Sequence, residues 1–220
     1  MQDQQQLAVE WRGRERYGAT WKHQLELHAR RRAGECSDRL ILVEHEPVIT
    51  LGRQGELANL LLSEEVLEQR GVDVHRVERG GDVTFHGPGQ LVGYPIIDLK
   101  ARQLSVRDLM RGLEEALIRT VEVFGIRAGR QEGLTGVWMG DSKLAALGVA
   151  VKNGISFHGF ALNVATDLSF FEMIIPCGIT DKRVASISSV TSEDVSIDDV
   201  RPHVMSHFTA IFGYSGMMDV

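Results

Sequence analysis

The chain has 220 residues, 43% of them apolar and 25% charged, with a formal net charge of -6. That length holds one sizeable core without requiring a second domain, the composition is that of a folded globular protein, and the negative balance offers nucleic acid no global attraction. No secretory h-region and no apolar run long enough to span a bilayer is visible, so the expectation is a cytoplasmic protein of one domain over residues 1–220, bound to neither membrane nor nucleic acid.

In chain order, residues 7–12 alternate like a strand, and Tyr17 to Arg32 has helical character, closing on the cations Arg30, Arg31 and Arg32 ahead of Gly34. Those cations, with Arg12, Arg14 and Arg16, read either as favourable local charge or as a dock for an acidic protein. RLILVE and VITLG follow as two strands joined by a turn at His45, Glu46 and Pro47. Ser63 caps a short helix that ends before Gly71. Ser105 and Asp108 make a capping box for a helix to Phe124, whose stripe Leu109, Leu113, Ala116, Leu117, Thr120, Val121 and Phe124 belongs to the core. Val137 to Met139, Lys143 to Val151 and Ile155 to Val164 read as strands. A second capped helix starts at Ser196 and presents Val200, Val204, Phe208 and Ile211. Helices and strands interspersed in this way predict an α/β or α+β fold with a mixed sheet flanked by helices.

Three segments carry candidate chemistry. Residues 79–90, RGGDVTFHGPGQ, place Gly80, Gly81, Gly87 and Gly89 where backbone can approach a ligand closely, or else form a hairpin with a Gly-Pro turn. The spacing fits neither a dinucleotide fingerprint nor a phosphate loop. In IIPCGITDKRVASI, residues 174–187, Cys177 follows an apolar, strand-like run and Pro176, a setting that presents a thiol to a ligand instead of burying it. Such a thiol needs help to ionise. Lys143, in an otherwise apolar strand, is the first candidate for that help, with His86 and His158 as alternatives; simple alternation puts Lys143 on the face of Ala145 and Leu147. His203 and His207 stand four apart on the last helix without an intervening Glu, so they read as a solvated face and no metal is expected. Cys36 and Cys177 are not expected to pair.

Taken in order, RGGDVTFHGPGQLVGYPIIDL, GVWMGDSKLAALGV, FHGFALNV and IIPCGITDKRVASI resemble the signature of the octanoyl-[acyl-carrier-protein]:protein N-octanoyltransferases of lipoate biosynthesis, from about Leu40 to Ser189. The resemblance implies the fold of the lipoate ligase and biotin protein ligase catalytic modules. It implies a catalytic pair of Cys177, the acyl-thioester nucleophile, and Lys143, the acid/base. It implies a substrate pocket of Arg79, Gly80, Gly81, Asp82, Val83, Thr84, Phe85 and His86, completed by Ala146, Leu147, Gly148, Gly159, Phe160 and Ala161. No cofactor and no ATP are implied; the donor is octanoyl-acyl carrier protein, and the acceptors are lipoyl domains of 2-oxoacid dehydrogenase E2 subunits and the glycine cleavage H protein. Departures are Asp141 and Ser142 before the lysine, where a basic residue is common, and Ala185, where threonine is frequent; they bear on partner detail. Two rival readings are an ATP-dependent lipoate or biotin ligase on the same fold, which activates a free acid, and a non-catalytic acyl-binding module, which leaves Cys177 unmodified.

Overall fold

The computed structural model describes residues 6–175 and 182–220. A mixed sheet forms its centre, with strands β1 (Gln6–Glu15), β2 (Arg39–His45), β6 (Gln90–Ile96), β7 (Gly129–Gln131), β8 (Leu134–Met139), β9 (Ser142–Lys152), β10 (Ile155–Asn163) and β12 (Gly216–Asp219) in the order β12-β1-β2-β6-β10-β9-β8-β7. The pairs β12-β1 and β1-β2 are parallel; from β2 to β7 every pair is antiparallel. A short strand β11 (Arg183–Val184) runs parallel to the start of β9. A small second sheet, β4 (Asp73–Arg76), β3 (Val48–Leu51) and β5 (Val83–His86), lies apart in the order β4-β3-β5.

Helices cover both faces. On one, α3 (Val106–Val123) and α5 (Ile197–Ile211) lay Leu109, Leu113, Leu117, Val200, Val204 and Phe208 against Leu42, Leu91, Val137 and Leu162. Both start at a serine whose side chain accepts from the backbone of the Asp three residues on, while that carboxylate accepts from the serine N–H; two orphan amides are satisfied at each start, which is why the boundaries fall where the sequence put them. On the other face α1 (Tyr17–Arg32) buries Tyr17, Thr20, Gln24 and Leu27 over β6 and β10. The short helix α2 (Glu64–Gln69), capped by Ser63, closes the second sheet through Leu67, and α4 (Ile187–Thr191) follows β11.

Several expectations change. The strands 83–86 and 90–96 do not form a hairpin: β5 pairs with β3 in the small sheet while β6 pairs with β2 and β10 in the large one. The run before Pro176 is not a strand; Leu168–Met173 is a 3-10 helix, after which Ile174 makes one bridge to Leu60. Of the clustered arginines, Arg12 pairs with Glu10 and Glu15, Arg14 with Glu44, and Arg31 with the buried Asp38 at 2.8 Å, while Arg30 and Arg32 stand exposed in the last turn of α1. His203 and His207 meet α3 instead of forming a purely solvated face, His203 edge-on to Phe124 and His207 within 3.2 Å of the Thr120 hydroxyl.

Candidate active site

The loop between β4 and β5 is held from behind. Backbone N–H groups of Gly52, Arg53 and Gln54 donate to the carbonyls of Asp82, Arg79 and Gly81, and a Cβ on Gly52 would collide with the Gly81 oxygen, so this approach requires glycine. The Arg79 guanidinium turns away to Thr50, donating from Nη2 to the carbonyl at 2.6 Å and to the hydroxyl at 2.9 Å. Asp82 accepts twice from the Asn59 amide, at 2.7 and 2.9 Å. The loop then bonds forward across the sheet, Gly80 N–H to the Val149 carbonyl at 2.9 Å.

Between this loop and the strands lies a cavity of about 560 Å³. Arg79, Gly80, Gly81, Asp82, Val83, Thr84 and His86 line it from the loop and β5; Lys143, Ala146, Leu147 and Gly148 line it from β9, and Gly159, Phe160 and Ala161 from β10. A Cβ on Gly148 would meet the Gly80 carbonyl at 2.7 Å, and one on Gly159 would collide with the Gly93 carbonyl, so these two glycines set the closeness of wall and floor. Phe85 is not among the lining residues. Period-two alternation sends it to the opposite side of β5, stacked on Phe170 at 4.7 Å.

Lys143 also departs from simple alternation. Val137 pairs with Ala145 but Trp138 with Lys143, so β9 carries one extra residue there. The slip leaves Ala145 in the core, while Lys143 lines the cavity together with Ala146. Its ammonium stands 4.7 Å from the Trp138 ring centre, a cation-π contact. The backbone around it is fixed from both sides: Val184 pairs with Lys143 in register, and Ala185 N–H donates to the Lys143 carbonyl at 2.9 Å. Asp141 forms an ion pair with Lys182.

Cys177 lies outside the described residues. On the two sides of that segment, Phe171 and then Lys182, Arg183 and Val184 line the cavity.

At the far end the lining changes character, to Tyr17, His86, Tyr94 and His158. His86 Nδ1 and the Gln90 Oε1 are 2.8 Å apart, and the Gln90 amide donates to Asn163 Oδ1 at 2.8 Å; with that oxygen as acceptor, His86 carries its proton on Nδ1. Its ring stacks parallel to Tyr17. His45 bonds the Tyr94 hydroxyl at 2.8 Å. Burial holds all three imidazoles neutral: His86 is pushed down to about 3, and His45 and His158 to about 4, with desolvation the first cause in each case and the Arg79 charge next for His158. The two histidines weighed as alternative bases are therefore weak ones. Of this group Gln90, Tyr94 and Asn163 stood within the quoted sequence blocks without being singled out, whereas Tyr17 and His45 gave no local signal, since tertiary packing alone brings them here. Trp138 was likewise visible only as a strand residue.

Residues 16–209 match the family described as lipoyl protein ligase A/B catalytic domain. The chain is 45% identical over 203 residues to an octanoyltransferase of Alkaliphilus metalliredigens, covering 92% of this chain and 93% of that protein. It is 48% identical over 202 residues to one of Solibacter usitatus, covering 92% and 91%. Among solved structures it is similar to a lipoate-protein ligase A bound with ATP, with TM-score 0.73 and 19% identity over 98% of this chain and 88% of that one. The biotin protein ligase of Aquifex aeolicus is more distant, with TM-score 0.52 and 12% identity over 94% and 68%; at these identities both likenesses concern the fold. By its match to the catalytic-domain family and its close relatives over nearly its whole length, the chain belongs to the octanoyltransferase family.

Proposed function

We propose that this chain moves an octanoyl group from octanoyl-acyl carrier protein to a lysine of a lipoyl domain, through a thioester on Cys177 with Lys143 as acid/base. The acceptors are lipoyl domains of E2 subunits and the glycine cleavage H protein. The observation that carries the reading is the cavity itself: about 560 Å³, walled by a pinned glycine loop, with Lys143 on its lining and the described chain on either side of Cys177 lining it too. The Cys177 thiolate attacks the donor carbonyl, the carbon–sulfur bond to the carrier breaks, and the carrier leaves as a thiol with the proton of the Lys143 ammonium, which is left neutral for the second half. One thioester replaces another, so no ATP is consumed. The acceptor amine then attacks the acyl-enzyme, its proton passes to Lys143, and Cys177 leaves as thiolate while the amide forms. Two large partners thereby use one pocket in turn, and ping-pong kinetics follow.

The ligase alternative shares the fold with this chain and nothing finer. Intact-protein mass after incubation with octanoyl-acyl carrier protein tests the reading. Wild type gains one octanoyl group and Cys177→Ala gains none; an adduct on the alanine variant removes Cys177 from the mechanism. Labelling that requires free octanoate and ATP establishes the ligase instead, and bound octanoate without covalent mass establishes the acyl-binding module.

A further inference from the structure

Two hollows flank the Phe157–His158 step, and His158 itself lines only the first. The first is the cavity above. The second, of about 410 Å³, lies between α1 and the end of β9 and is lined by Leu25, Ala29, Val151, Phe157, Arg53 and Glu78 among others. Arg53 lines both hollows. His158 lines the first while its chain neighbour Phe157 lines the second, and the Glu78 carboxylate of the second stands 3.6 Å from His158 Nε2.

The partition is built at some expense. His158 is 1% exposed, and among the described residues its Nε2 has no partner within hydrogen-bond distance, the Glu78 carboxylate standing just beyond it at 3.6 Å. Its φ is +56° in the middle of β10, a left-handed conformation that is uncommon for any residue with a Cβ and foreign to a regular strand. Gln24 supplies part of that constraint, accepting from the His158 backbone N–H at 2.9 Å, and Tyr17 holds the ring at Nδ1 from 3.5 Å. A buried nitrogen short of a hydrogen bond on a left-handed backbone is the sort of feature that persists where the surroundings over-determine it.

Position fits a stop. His158 pairs with Val149, six residues beyond Lys143 along β9 (149 minus 143), or about 20 Å at a strand's rise per residue. That span is long enough for a lysine side chain and an extended eight-carbon chain before the imidazole is reached. We propose that His158 sets the upper acyl chain length: its ring closes the far end of the acyl cavity, and its removal joins the cavity to the groove over α1. This rests on the acyl chain occupying the cavity as set out above.

The test compares acyl-enzyme formation by wild type, His158→Gly and His158→Asn from eight-, ten- and twelve-carbon acyl-carrier donors, read as initial rates by intact mass. Glycine takes the positive φ freely and asparagine tolerates it, so neither variant strains the fold. His158→Gly should raise the twelve- to eight-carbon rate ratio by about tenfold or more, on the scale at which a pocket discriminates methylene groups, with His158→Asn between. The inference is overturned if wild type loads octanoate and the ratio in His158→Gly stays within twofold of wild type, or if loading is lost at every length. Absence of any adduct on wild type is a different result, which removes the octanoyl-transfer reading first and this one with it.

Discussion

At the Lys143 end of the cavity the charged groups stand near water: Lys143 is half-buried against Trp138, Lys182 pairs with the exposed Asp141, and Arg183 is exposed. At the other end His45, His86 and His158 are buried and neutral among Tyr17 and Tyr94. Both ends are polar, but at the second the imidazoles are desolvated, with the buried Arg79 and the Glu78 carboxylate as the charges beside them. An enzyme that must move a proton at one point and hold a hydrocarbon at another separates titrating groups from groups that have been desolvated out of titrating.

The sharpest way to break this contrast is at the charged end. Lys143→Ala should lower the acyl-transfer rate on the order of 100-fold or more while leaving the melting temperature near wild type; an undiminished rate would mean that the proton is carried elsewhere. The neutral end should speak through stability. A histidine whose folded pKa lies below its unfolded value binds its proton more readily in the unfolded chain, so its contribution is whole above about pH 6.5 and declines as pH falls toward the folded value. Between pH 6.5 and 5, where carboxylates scarcely titrate, each of His45, His86 and His158 should withdraw on the order of 2 kcal/mol. Urea midpoints across that window should fall steeply for wild type and less for His86→Asn; a flat wild-type profile would show these rings to titrate in the fold as they do in the unfolded chain.

The wall joining the two ends gives a smaller effect. Gly148→Ala sets a methyl 2.7 Å from the Gly80 carbonyl, which should cost about 1–3 kcal/mol and slow acyl loading as the loop moves. An urea midpoint and loading rate equal to wild type would show the loop to be slack. Smallest is Ser196→Ala, which removes the cap of α5, a helix with no residue on the cavity lining; it should cost about 1 kcal/mol and leave loading per folded molecule unchanged. A loading defect there would mean that α5 transmits motion to the cavity.

Local chemistry made the helices legible: Ser63, Ser105 and Ser196 announce their caps, and the apolar stripes of α3 and α5 point to the face that is buried. The mixed sheet flanked by helices also followed from the order of elements. What the sequence concealed is non-local. Nothing in GPGQ says that the strands on either side join different sheets. Nothing near Lys143 signals the extra residue that turns it from the face of Ala145. The glycine blocks were visible because a backbone requirement leaves its mark on residue type at each position, whereas the histidine end draws Tyr17, His45, His86 and His158 from four distant segments. Phe85 was included with its neighbours by contiguity, and pleating separates it from them.

Pairing between β8 and β9 spans only Ser142 to Ala145, and farther along that side of β9 the contact is supplied by the glycine loop, through Gly80 to Val149. A strand margin left bare is a template for another chain. The loop that walls the cavity therefore also covers this strand margin, and a variant that unfastens it should form oligomers before it loses its secondary structure.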